Sequence, residues 1–63
     1  MRDPERIDKF LAELGKRWKE VPDWRFGQLM TNIKFERDPF FMEEDEFLAA
    51  VDKTFKELGI EID

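Results

Sequence analysis

Residues 3–23 read DPERIDKFLAELGKRWKEVPD, and this stretch decides the fold. Ile7, Phe10, Leu11, Leu14, Trp18 and Val21 recur at offsets 0, 3, 4, 7, 11 and 14, which lines one face of an α-helix with apolar side chains. Asp3 ahead of Pro4 is a helix start. An aspartate can accept from the unpaired first-turn amides, and a proline at the first helical position gives up an N–H that has no partner inside the helix. Glu5 sets negative charge beside the positive helix end. Pro22 stops the run, because the residue before a proline is pushed out of the α region. The spacing predicts a helix over residues 4–20.

Beyond Pro22, Asp23 is expected to cap a second helix over residues 24–34, with Phe26, Leu29, Met30 and Ile33 as its apolar stripe. The short Val21-Pro22-Asp23 link makes the two helices neighbours. Gly27 costs that helix about 1 kcal/mol relative to alanine, which points to a bulky side chain, Trp18, pressed against its bare backbone. Arg37-Asp38-Pro39 reads as a turn. The apolar Phe40-Phe41-Met42 that follows is too brief for a helix of its own and is expected to plug the core, an exposed docking patch being the alternative.

Glu43-Glu44-Asp45-Glu46 opens a third helix over residues 44–58, its acidic cluster suiting a positive helix end. Phe47, Leu48, Val51, Phe55 and Leu58 form its stripe, and Gly59 is its stop. Ile60 and Ile62, alternating with Glu61 and Asp63, predict a short extended tail that either covers the core or stands exposed. The expected fold is all-α: one domain over residues 1–63, a compact three-helix bundle, with a subunit whose core closes only in a dimer as the runner-up.

The size of the chain makes that core a thin one. Its 63 residues lie near the lower limit for folding without disulfides or metals, and seven Phe and two Trp must carry most of the packing. With no cysteine there is no disulfide framework and no thiolate zinc site, so the cytoplasm is the default compartment. The charged start and the lack of a long apolar run predict neither an export signal nor a membrane span. The net charge of −5 disfavours nucleic acid as a general partner, since that affinity rests on Lys and Arg displacing counterions. The acidity is concentrated: residues 38–63 hold nine acidic and two basic groups.

Arg6-Ile7, Leu11, Leu14, Trp18, Pro22-Asp23, Arg25 and Gly27-Gln28-Leu29 together spell R-I-x(3)-L-x(2)-L-x(3)-W-x(3)-P-D-x-R-x-G-Q-L, followed by Asn32, Asp38-Pro39-Phe40-Phe41 and Glu44-Asp45. In this the chain resembles a group of short bacterial and phage-associated hypothetical proteins. The resemblance runs from residue 6 to about residue 48 and is most specific over Pro22–Leu29; the last fifteen residues lie outside the pattern. That family has no established activity, so the resemblance implies a compact fold and transfers no catalytic residue.

The residue inventory narrows the chemistry further. His, Cys, Ser and Tyr are all absent, which removes imidazole bases, the usual nucleophiles and the usual zinc ligands. The carboxylates of Glu43–Glu46 supply only oxygen and lack the alternation of a calcium loop, so a solvated helix start is the simpler reading. No enzyme, metal or cofactor is expected. On the second helix, Arg25, Gln28 and Asn32 sit at offsets 0, 3 and 7, away from the apolar stripe. They are residue types that can read base edges, in a helix-turn-helix outline, though they serve equally as a polar face. An acidic third helix imitating a row of phosphates is the other nucleic-acid alternative. The leading expectation is a protein-binding adaptor or regulator, meeting another protein or a second copy through Trp24, Arg25, Gln28, Asn32, Phe40 and Phe41.

Overall fold

The structure, a computed structural model, describes residues 2–61. It has three α-helices, α1 (Glu5–Trp18), α2 (Phe26–Asn32) and α3 (Glu44–Glu57), with a 3-10 turn at Pro39–Phe41 between the last two. The all-α three-helix architecture expected from the periodicity is the one observed.

The start of α1 and both ends of α3 follow from their sequences, whereas α1 ends at Trp18, short of the expected residue 20, in turns that send the Glu20 N–H to the Arg17 carbonyl at 3.1 Å and the Val21 N–H to the Trp18 carbonyl at 2.9 Å. Asp3 Oδ1 accepts the Glu5 N–H at 2.9 Å, so the aspartate caps α1 as expected. At the start of α3, Glu46 Oε1 accepts the Glu43 N–H at 3.5 Å, and Glu44, Asp45 and Glu46 occupy the first turn. The far end of α3 closes through Gly59 at φ 77°, where the Ile60 N–H donates to the Phe55 carbonyl at 2.8 Å and the Gly59 N–H to the Lys56 carbonyl at 3.2 Å. This double closure needs a left-handed residue, which glycine supplies without a Cβ clash. Ile60 then packs against the core, while Ile62 and Asp63 lie outside the described residues.

The middle helix departs from expectation. It spans seven residues, Phe26–Asn32, in place of the expected 24–34, and Asp23 does not cap it. The Trp24 N–H is used in a turn to the Val21 carbonyl at 3.0 Å, and Arg25 is extended at φ −72°, ψ 158°. Gln28 Oε1 accepts the Arg25 N–H at 2.8 Å, so glutamine closes the helix start. At the other end Ile33 turns extended, and the Lys34 N–H donates to Thr54 Oγ1 at 3.0 Å. A tertiary hydrogen bond thus draws the chain out of the helix. Gly27 has nothing within 4 Å of where a Cβ would sit, which removes the expected contact with Trp18; that indole stacks on Phe26 instead, ring centroids 5.6 Å apart.

Helices α1 and α3 pack directly against each other. Arg2 pairs with Glu43, Arg6 with Glu44, Phe10 with Phe47 and Arg17 with Asp52, so partners climb both helices together and the two run parallel. The core between them and α2 is Leu14, Leu29, Ile33, Val51 and Phe55, with Trp18, Trp24, Phe35 and Phe47 among the half-buried side chains around it. Thr54 is the one buried polar residue among those described.

Helix length explains what the core leaves uncovered. At about 1.5 Å per residue, α2 is about 10 Å long against about 21 Å for α1, so it covers only part of the α1 stripe. Ile7 and Leu11, in the first half of α1, remain 46% and 56% exposed. The Cα radius of gyration of 11.8 Å exceeds the roughly 10.6 Å expected for a compact domain of this length.

Gly15 and Gly27 lie in helices with open space around them, so Gly15→Ala and Gly27→Ala are expected to raise stability by about 0.5–1 kcal/mol in urea unfolding, whereas Gly59→Ala, forced to hold a positive φ, loses about 1–2 kcal/mol. Thr54→Val keeps the side-chain shape but strands the Lys34 amide. A loss of about 1–3 kcal/mol is expected in the same assay.

Candidate functional site

The Asp38-Pro39 pair builds the most exposed feature of the molecule. Proline sets the backbone angle of the first residue in the turn, and Asp38 Oδ1 accepts the Phe40 N–H at 2.9 Å. Two backbone bonds of 3.1 Å, Phe41 to Asp38 and Met42 to Pro39, complete it. A 3-10 turn advances three residues per revolution, so when Met42 is directed inward its two predecessors point elsewhere. Phe40 and Phe41 are 83% and 68% exposed, and their rings meet edge to face at 4.9 Å. The expected core plug is therefore corrected: Phe40 and Phe41 are exposed, and Met42, half-buried, lines surface concavities and is not part of the core cluster.

Met42 joins this wedge to a groove. Phe10 and Leu14 from α1, Phe26 and Met30 from α2, and Met42 with Phe47 line an apolar concavity of about 270 Å³, with Glu44 at its edge. The groove exists because α2 is too short to close over α1. Phe26 is 50% exposed at its wall. Ile7 and Leu11 extend the same apolar row along α1, each one helical turn from a groove residue.

The remaining expected contact residues lie elsewhere. Trp24 is half-buried, its ring edge-on to Phe55 at 5.9 Å, and its carbonyl accepts the Trp18 indole N–H at 2.8 Å. It packs against the core cluster while keeping part of its surface in solvent. Arg25, Gln28 and Asn32 are all exposed, but Arg25 precedes the helix and the Gln28 carbonyl oxygen is committed to the Arg25 amide. None of these three polar side chains lines the groove beside Met42, the concavity over Lys34 and Lys53, or the shallow one at Gly15, Trp18, Lys19 and Pro22. The apolar spacing places Phe26 and Met30 in the core and Ile7 and Leu11 on a covered face; Met30 does pack against the core, whereas Phe26, Ile7 and Leu11 are exposed. The short reach of α2 has no signal in the periodicity.

Charge is arranged in closed pairs around these surfaces. Arg2 grips Glu43 with both amino groups at 2.6 and 2.8 Å, Arg6 pairs with Glu44, and Arg37 with Glu46. On α1 and α3, the Arg17 guanidinium donates to Asp52 at 2.6 and 3.2 Å and to the Glu13 carbonyl at 2.8 Å, and its hydrogen bond to the Asp52 carboxylate pushes its pKa up. Hydrogen bonds from Lys16 and Arg17 hold the Glu13 carboxyl below the usual carboxylate range. Lys53 does the same to Glu36, and Glu36 raises the Lys53 ammonium in return. A second concavity of about 310 Å³, lined by Lys34, Arg37, Lys53, Glu36 and Glu46 over Met42 and two alanines, is crossed by these pairs.

Among the described residues no group of three or more acidic side chains is placed to hold a metal ion, and no helix is long and apolar enough to cross a membrane. No family model, curated protein or solved structure matches the chain.

The two aromatic positions separate cleanly in a stability assay. Trp24→Ala removes an indole packed on Phe55 and is expected to cost about 2 kcal/mol or more. In dilute solution Phe41→Ala changes unfolding by no more than about 0.5 kcal/mol, as for a side chain with little native packing.

Proposed function

We propose that the protein is a non-catalytic protein-binding module, an adaptor or regulator that meets its partner through the Phe40–Phe41 wedge and the apolar groove beside it. One observation carries the reading: two adjacent phenylalanines are held 83% and 68% exposed by a capped proline turn. Burying a phenylalanine side chain is worth about 1.5–3 kcal/mol, and five apolar residues are buried among those described. A turn that withholds two rings from so small a core has its reason in burial against another surface.

The chemistry of the surface agrees. No His, Cys, Ser or Tyr is present to act as base or nucleophile, and many of the carboxylates are engaged by Arg or Lys in pairs open to solvent. Nucleic-acid readings draw less support. The acidic start of α3 is countered by Arg2, Arg6 and Arg37, which blunts any imitation of a phosphate row, and Arg25 stands without the cluster of cations that anchors a backbone.

A photo-activated cross-linking residue in place of Phe41, compared with one in place of the exposed Lys56, tests the reading in cells expressing the full chain. Discrete cross-linked protein bands from position 41 and none from position 56 are expected. Equal labelling from both positions, or none from 41, would exclude the wedge as a protein contact.

A further inference from the structure

Resting on that protein-binding reading, we infer that the occupant of the groove is a second copy of this chain, the Phe40–Phe41 wedge of each protomer seating in the groove of the other about a two-fold axis.

Self-complementarity is the first ground. A two-fold interface uses one surface patch twice, so that patch must carry both a projection and its receptor. Here the two are adjacent: Phe40 and Phe41 project from the turn whose next residue, Met42, lines the groove with Phe10, Leu14, Phe26 and Met30. Had they lain on opposite faces, each copy would recruit the next and the contact would propagate as a filament.

The second ground is area. A standard interface takes about 800 Å² from each partner, a little over half of it apolar. Phe40, Phe41 and Phe26, at 83%, 68% and 50% exposure, present about 400 Å² between them, taking roughly 200 Å² per aromatic side chain. Ile7 and Leu11 add to it along α1. That is a dimer-sized apolar patch on a molecule whose whole accessible surface is 5050 Å².

Charge is the third. Two chains of net charge −5 repel, and a partner chosen by charge would be basic. At the rim of this patch, however, Glu43, Glu44 and Glu46 are matched by Arg2, Arg6 and Arg37, while Asp38 and Asp45 accept backbone amides of their own segment. With three arginines to five carboxylates the border carries a net −2 of the chain's −5, so two such faces repel less than the whole-chain charge implies, and their contact is chiefly apolar. Small domains commonly complete a thin core by oligomerising.

Sedimentation equilibrium on the full chain over roughly three decades of concentration reads the association directly. The expected result is a monomer–dimer equilibrium that tightens slightly or holds with added salt, and that weakens at least about tenfold in Phe41→Ser and in Leu11→Ser. Both positions are exposed, and circular dichroism checks that helicity is kept. A folded chain that stays monomeric throughout, a dimer indifferent to both serine substitutions, or an open ladder of higher species overturns the inference. If the chain is monomeric yet position 41 still cross-links to a different protein, the second copy is excluded and the protein-binding reading stands.

Discussion

The Thr54 hydroxyl, buried on the same turn of α3 as Val51 and Phe55, accepts the backbone N–H of Lys34. This bond ends α2, because an amide given to Thr54 cannot extend the helix. It also seats the chain leaving α2 against α3, bringing Ile33 into the core and Phe35 to within 5.4 Å of the Phe47 ring. A buried hydroxyl is tolerable only when paired, and this one is; no described buried side-chain polar atom is left without a partner. The short α2 that results decides which part of α1 is covered. The groove, the exposed Ile7 and Leu11, and the place of Met42 all follow from it.

Electrostatics resolves a problem set by the topology. Parallel helices place their like dipole ends side by side, and α1 and α3 are parallel. At the shared N-terminal end, Glu44, Asp45 and Glu46 stabilise α3, and Arg2 and Arg6, poorly placed for the α1 dipole on their own, pair with Glu43 and Glu44. The concentration of acid in the last third of the chain is thus answered in part by arginines from the first helix. In solvent such pairs add little stability each. Their effect is to fix which ends meet and to pair three of the carboxylates beside the apolar wedge.

The outer helices were legible because their signals are local: the Asp3-Pro4 cap, the apolar spacing, the acidic opening of α3 and the Gly59 stop all act within a turn or two. The middle of the chain was not, since its boundaries depend on partners distant in sequence. Asp23 looks like a cap but lies in a turn; Gln28 does the capping; Thr54, twenty residues on, sets the end. Phe40 and Phe41 were read as interior from their hydrophobicity, whereas the proline turn, visible as Asp38-Pro39, dictates direction. Of the expected contact residues, Phe40, Phe41, Arg25, Gln28 and Asn32 are exposed, and Trp24 is half-buried against the core. A tryptophan beside an arginine has no local feature that says which way its ring will turn.

The two indoles occupy one corner. Trp18 donates to the Trp24 carbonyl, and Trp24 rests on Phe55, about 18 Å along α3 from Glu43 and the turn that precedes it. Every tryptophan chromophore in the chain therefore reports on the end where α1 hands over to α2. Intrinsic emission follows the opening of that corner and is a poor witness to fraying at the opposite pole, where the phenylalanines of the wedge absorb weakly and the signal needs a label.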